Sequence, residues 1–451
     1  MMASGPVHAV TVLEQCHVSP SPEPAAGQPR ALPLTFFDLV FWDFPPVQRL
    51  FFYDSADLLD VPDFLLRELP LFKESLAAAL HHFYPLAGKL ACEMPEGGAV
   101  AVAPEVVFTD GDSVLLTAAA SGDDFHDLAG DHARDTARLR PLLPTLRRHG
   151  GARPSQDVFA VQVTVFPRAG ICIGTTLHHA VADGSSFVHF VRTWAAIRRL
   201  GPERRTTPPD FAPPLFDRGV VRDDAGLREA FVREHRALAA AGDKRLAVWD
   251  LSRRPGVMLA TFWFTDGQLR ALGRRVESET SARCSPTALA CGAAWAGIER
   301  ARGGAADGAA AHARFGFVTG CKPRASPPIP ASYFGNCLGL CRVEAERGAR
   351  REGRALRDAR GWVRCAREYA SERAVTVAGS PKLGVYAAAD LGAPWGRPRK
   401  VEIASVERTG ALAMAESGRD GDGGVEVGLA LPRAEMEAFR RFYVELIDSL
   451  Q

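Results

Sequence analysis

From Phe159 to Phe166 apolar and polar side chains alternate, with Val161, Val163 and Val165 on one side and Gln162 and Thr164 on the other. That is the two-residue period of a strand. Residues 171–177 are apolar and β-branched, which suits a second, fully buried strand, and residues 185–200 then switch to helical spacing through Phe187, Phe190, Val191, Trp194 and Ile197. Between them lies His178-His179-Ala180-Val181-Ala182-Asp183-Gly184, a strand-to-helix junction carrying two imidazoles and a carboxylate. Strand ends are where a rigid scaffold presents reactive groups, and imidazole is the side chain best matched to moving a proton near neutral pH.

The same pattern predicts further elements along the chain. Residues 10–13 read as a short strand. Residues 70–84 read as an amphipathic helix through Phe72, Leu76, Ala79, Leu80 and Phe83, ended by Pro85. His81 and His82 on that helix have no carboxylate at usable spacing and are expected to be surface or packing residues. Residues 257–264 form a strong strand, after which Asp266 can cap a helix carrying Leu269 and Leu272. The Arg/Glu-rich stretch 344–373 has helical character, with its charges solvating a face. Residues 411–431 read as strand, turn and strand around the Asp/Gly-rich 418–424; no downstream Glu completes a calcium loop, so a hairpin is favoured. A closing helix over 434–450 buries Phe439, Phe442, Leu446 and Ile447. Five prolines within 201–214 mark a stiff boundary near the middle of the chain. It divides residues 1–200 from 223–451, with 201–222 as linker, and 303–311 reads as an exposed small-residue loop.

Composition narrows the function classes. The 451 residues suffice for two or three domains, and 47% are hydrophobic. A net charge of +1 provides no global field for nucleic acid or an anionic membrane, and the 48 arginines against six lysines read as a compositional habit. Residues 1–12 lack the layout of a secretory signal, and no apolar run reaches the ~20 residues that span a bilayer. Nine cysteines without a CxxC pair suit a reducing compartment. A cytosolic protein is the expectation.

Read alone, the septet allows a packing histidine, a metal set of His178, His179 and Asp183, or a general base. Adjacent strand residues point to opposite faces, which disfavours convergence of both histidines on one ion. It favours one functional and one structural histidine. Asp183 could fix the junction by a salt bridge or by capping the helix's first amides.

HHAVADG resembles the HxxxD motif of the CoA-dependent acyltransferase superfamily, which includes plant BAHD acyltransferases and nonribosomal peptide synthetase condensation domains. Tyr333-Phe334-Gly335-Asn336-Cys337 matches the YFGNC motif of the BAHD clade rich in anthocyanin and flavonoid-glycoside acyltransferases, and it follows the similar lead-in Pro327-Pro328-Ile329-Pro330. Asp390-Leu391-Gly392-Ala393-Pro394-Trp395-Gly396-Arg397-Pro398 looks like that family's DFGWG motif, with Leu391 in place of the aromatic and Ala393-Pro394 as an apparent insertion. Residues 32–38 and 83–88 look like its N-terminal landmarks, so the resemblance spans essentially the whole chain.

The resemblance implies an α/β fold of two similar chloramphenicol-acetyltransferase-like domains, each a mixed sheet flanked by helices, with the active-site channel between them. A segment around 385–408 would cross back to the first domain. His179 would be the general base and Asp183, beside Gly184, would pair with Lys322. Trp395 would support the oxyanion, and Asp390 and Asn336 would be mainly structural. Ser285 and Thr287 would lie near the CoA channel. From its residues alone, the aromatic-rich segment 32–38 reads as a plain buried segment or, through Thr35, Phe36 and Asp38, as a wall of the substrate channel. The implied reaction is transfer from acyl-CoA, malonyl-CoA favoured, to a sugar hydroxyl of a flavonoid or phenolic glucoside. A hydroxycinnamoyl donor with an alcohol or amine acceptor, or a binding homologue impaired by the altered 390–396 loop, are the alternatives. A malonyl donor would need a buried Arg or Lys near the thioester. No metal, no resident cofactor, no nucleic acid and no membrane are implied, and the family is monomeric.

Overall fold

The computed structural model describes residues 10–25, 27–28, 30–54, 59–91, 104–150, 154–201, 211–247, 250–303, 313–346, 349–352, 359–419 and 423–450. Most of the small-residue loop, the centre of the Pro-rich stretch and the tip of the Asp/Gly turn lie outside them.

Two large mixed sheets organise the chain. The first has six strands in the order Val10–Val18, Val114–Ser121, Phe159–Phe166, Gly170–Leu177, Val47–Asp54 and Lys400–Ile403. The second has eight: Ala349–Glu352, Leu338–Glu346, Ala313–Gly320, Val375–Gly379, Ala411–Glu416, Val425–Pro432, Val257–Phe264 and Arg134–Asp135. Each sheet ends on a strand from the far half of the sequence. Lys400 pairs with Phe52 at the edge of the first sheet, and Met258 pairs with Asp135 at the edge of the second. A small five-stranded sheet lies apart from both.

The apolar period decides what each layer buries. Val161, Val163 and Val165 share one core with Phe187, Phe190 and Trp194 of the helix Gly184–Leu200. Phe262, Leu289, Ile298 and Phe439 form another, where the second sheet packs on the helices Pro286–Ala301 and Arg433–Asp448. Leu50, Phe52 and Phe125 meet Leu259 and Ala430 in a third core that joins the halves. Burying a side chain such as Phe52 fully is worth about 1.5–3 kcal/mol, so this shared core holds the two sheets as one body.

Several expectations change. The charged stretch 344–373 begins as strand, through Leu338–Glu346 and Ala349–Glu352, and among its described residues only Trp362–Ser371 is α-helical. Long charged side chains suit an edge strand as well as a helix, so local spacing did not separate the two. Thr265, not Asp266, caps the helix Asp266–Thr280, in a reciprocal box with Gln268. The first strand runs to Val18 with a bulge at Val12/Glu14. In the closing helix only Phe439 of the four named residues is fully buried. No helix of the described residues is long and apolar enough to cross a membrane, and the eight described cysteines are free thiols.

Candidate active site

The strand Gly170–Leu177 runs antiparallel to both Phe159–Phe166 and Val47–Asp54 and is buried along its length. Where it ends, the His178 amide donates to the Val158 carbonyl (2.9 Å) and the Val181 amide returns to the His178 carbonyl (3.0 Å). This tight turn sends the two imidazoles apart. His178 is buried, its Nδ1 accepting from the Ala180 amide (3.3 Å), and burial with the neighbouring His179 pushes its pKa down to about 4. The His179 ring instead lines a cavity of about 1290 Å³ between the two sheets. Phe41 lies flat on that ring (3.9 Å between centroids, 6° between planes) and Phe44 meets it edge-on at 6.4 Å.

Burial lowers the His179 pKa, partly offset by its own carbonyl and Asp183 and reinforced by the Arg49 charge, so the ring is held in its neutral, proton-accepting form. Its Nδ1 is sealed from solvent, which leaves Nε2 as the nitrogen available to a proton. The ring's backbone is held from a distance. Asn336 Nδ2 donates to the His179 carbonyl (2.9 Å) and to Asp38 Oδ1 (3.0 Å), which also accepts the Asn336 amide (2.9 Å). The other Asp38 oxygen accepts the Thr35 amide (2.8 Å) and hydroxyl (2.7 Å).

Asp183 is a helix cap and an inter-lobe clasp. Oδ1 accepts from the Ser186 amide (2.9 Å) and the Ser185 hydroxyl (2.8 Å), and Oδ2 accepts from the Cys337 amide (3.2 Å). Among the described residues it makes no ion pair with Lys322, contrary to the expectation. Lys322 Nζ donates to the Ser185 hydroxyl (3.2 Å) and to the carbonyls of Ala331 (3.1 Å) and Tyr333 (2.7 Å), so the ammonium reaches Asp183 only through Ser185. The motif's Gly335 answers to a close approach: a Cβ there would lie 2.2 Å from Arg218 Nη1, which donates to the Tyr333 hydroxyl and the Phe334 carbonyl (2.7 Å each).

Gly184, Ser285, Thr287 and Lys322 line the cavity with His179 and Asp183. Ser285 also caps its helix through the Ala288 amide (3.3 Å). Thr35, Phe36 and Asp38 do not line it: Asp38 is fully buried, and Phe36 packs on Phe37 at 4.2 Å. The aromatic wall is formed slightly downstream, by Phe41 and Phe44, a continuation of the same aromatic run. Trp395 is also displaced from its expected role. Its indole N–H donates to Glu68 Oε2 (2.8 Å), an oxygen that also accepts from Arg198 (2.6 Å), and no residue of the 390–396 loop lines the cavity. The Asp390 carboxyl accepts the Gly392 amide (2.9 Å) and its carbonyl accepts from Arg199. The two extra residues thus shape a closed turn against the helix Gly184–Leu200.

Sequence reasoning missed Arg49, whose signal was a lone cation inside the apolar run Val47–Asp54. Its guanidinium lines the cavity, its Cζ lies 4.7 Å from the Phe187 ring centroid, and Nη2 is 3.8 Å from where a Gly184 Cβ would stand. Among the described residues it makes no ion pair, and its Nε is sealed without a partner. Burial lowers its pKa to about 10, with Glu416 acting the other way. Among the described residues no group of three or more His, Cys, Asp or Glu side chains is arranged to hold a metal.

Two sheets thus enclose a cavity with His179 on its wall. The family model described as the Transferase family matches residues 8–352, and the chain belongs to that family. It is 32% identical to phenolic glucoside malonyltransferase 1 of Arabidopsis thaliana over 95% of this chain and 96% of that one. It is 33% identical to the malonyl-CoA:anthocyanidin 5-O-glucoside-6''-O-malonyltransferase of the same plant, over 96% and 97%. Among solved structures, vinorine synthase superposes with a TM-score of 0.64 at 20% identity, covering 97% of this chain and 98% of its own. The protein is an acyltransferase with the two-domain α/β fold of these relatives.

Proposed function

We propose that the protein moves a malonyl group from malonyl-CoA to a sugar hydroxyl of a phenolic or flavonoid glucoside. The observation that carries the donor assignment is Arg49, a buried guanidinium without an ion-pair partner among the described residues, on the same cavity wall as His179. An unpaired buried cation is costly, and a ligand carboxylate supplies both the charge and the planar acceptor that a guanidinium matches. The two malonyltransferase relatives support the same donor and a glucoside acceptor. The cavity exceeds the ~300–1,000 Å³ of an ordinary small-molecule site, in keeping with two substrates meeting inside it.

The chemistry follows from the neutral ring. His179 Nε2 takes the proton of the acceptor hydroxyl as its oxygen attacks the thioester carbonyl carbon. The tetrahedral intermediate then collapses with cleavage of the C–S bond, and the imidazolium returns its proton to the departing CoA sulfur. Ser285 and Thr287, with Lys322, serve the CoA side of the channel. We read residues 1–200 and 223–451 as the two domains, with the strand Lys400–Ile403 lent to the first sheet. We place the protein in the cytosol as a monomer, a reading supported by the balanced charge and by the family resemblance.

The test is a matrix of malonyl-, acetyl- and coumaroyl-CoA against phenolic glucosides and their aglycones, read by product mass. Malonyl esters of glucosides are expected. Equal or better use of acetyl-CoA, or transfer to aglycones alone, would overturn the assignment.

A further inference from the structure

The aromatic wall behind His179 is held by a second buried histidine that the transfer chemistry does not use. His235, on the helix Leu227–Ala240, is 2% exposed. Its Nδ1 lies 2.9 Å from Asp43 Oδ2 and its Nε2 lies 2.8 Å from the Leu39 carbonyl oxygen. Both partners are acceptors. One ring can serve two acceptors only with hydrogen on both nitrogens, and that form is the imidazolium.

Leu39 and Asp43 flank Phe41, the ring that lies flat on His179. The two bonds from His235 therefore bracket the turn that sets the imidazole's position. Asp43 also accepts from Arg367 of the helix Trp362–Ser371, and Arg367 Nε lies 3.0 Å from Asp243, itself bound by Arg245. On the ring's own helix, Glu234 is 3.5 Å from Arg364. Glu368 carries a further negative charge on the helix Trp362–Ser371, and His178 feels the Asp43 charge from the side of the septet. Burial raises the Asp43 carboxyl, but the His235 bond and charge and those of Arg367 outweigh it and hold the group below the usual carboxylate range.

We propose that His235 is a proton-dependent positioning residue: charged, it pins the Phe41 turn against His179, and on losing a proton it releases one of its two anchors. When the ring is neutral, one nitrogen presents a lone pair to either the Asp43 carboxylate or the Leu39 carbonyl, and that contact becomes repulsive. The sign is set by which form makes the bonds. The bracket is present at low pH and is lost as pH rises, opposite to His179, whose neutral form is the active one. The proposal rests on His179 being the base, and the two fail differently: retained turnover in His179→Ala removes the base, whereas the positioning role is read from the alkaline side of the rate profile.

The experiment is kcat against pH from about 5 to 10, a span that brackets imidazole titration, for the wild type and His235→Gln. The wild type is expected to show a falling alkaline limb. His235→Gln, whose amide cannot donate on two opposite sides, is expected to lose about tenfold in kcat and to lack that limb, with the KM for acyl-CoA within about twofold. An unchanged alkaline limb in the variant, or none in the wild type, would overturn the proposal. Hydrogen exchange of residues 36–46 in the wild type gives the answer without a variant. After correction for intrinsic rates, protection should fall across the limb, and constant protection counts against the bracket.

Discussion

Asn336 Nδ2 holds the carbonyl oxygen of His179 at 2.9 Å, so a residue of the second half of the chain sets the backbone from which the imidazole projects. The same amide nitrogen reaches Asp38, and through it the N-terminal segment. Asn336→Ala strands the His179 carbonyl in a buried setting, at about 1–3 kcal/mol for the lost partner, while Asp38 Oδ1 keeps the backbone amide of residue 336. The expected result is a lower melting temperature together with a kcat loss of at least tenfold, with CoA affinity by calorimetry nearly unchanged. A variant that lost stability but kept full kcat would show that the bracket is structural only.

His179→Ala removes proton transfer worth ~10²–10⁴ in rate while leaving the Asn336 bond, which is made to the backbone. CoA should bind as before. Because burial lowers the His179 pKa, its neutral form persists below the ordinary imidazole range, and the acid limb of kcat should fall below pH ~6.5. His178 adds a stability effect with a defined window. Its folded pKa is depressed to about 4, so stability is full above the unfolded value and is lost as pH falls from about 6.5 toward about 4. Melting temperature across that interval checks the sign.

Arg49→Met should separate donors. Loss of a charge-assisted bond to a carboxylate costs about 1.5–3 kcal/mol, equivalent to roughly 10–150-fold in kcat/KM for malonyl-CoA. Acetyl-CoA, which has no free carboxylate, should lose far less. Equal losses for both donors would remove Arg49 from donor recognition.

Trp395→Phe tests the indole's actual partner. The ring stays while Glu68 loses one donor and keeps Arg198, so about 1–3 kcal/mol of stability should go with kcat preserved. A hundredfold kcat loss at unchanged stability would return Trp395 to the oxyanion.

The site was legible wherever its chemistry is local. The strand that stops at Leu177 and the helix that starts at Gly184 follow from a switch of apolar period over a few residues, and the Asp183 cap follows from its place at the helix start. That the two imidazoles part follows from neighbouring strand residues facing opposite ways, a property of the backbone alone, while the choice of His179 over His178 comes from the family resemblance. The family motifs extended this reading to the whole fold.

Partners across the fold were not legible, because periodicity tells which face a side chain takes and not what waits there. Asp38 meets Asn336 across 298 residues and becomes a backbone bracket in place of a channel wall. Lys322 stops at Ser185, one hydroxyl short of Asp183, and Trp395 turns to Glu68 because the lengthened loop closes against the helix that carries Arg198 and Arg199. Arg49 reads in the chain as one polar residue in an apolar strand. Only the approach of the second sheet turns it into a buried cation on the wall of the cavity, since burial, and the lack of an ion pair among the described residues, are properties of the assembled interface.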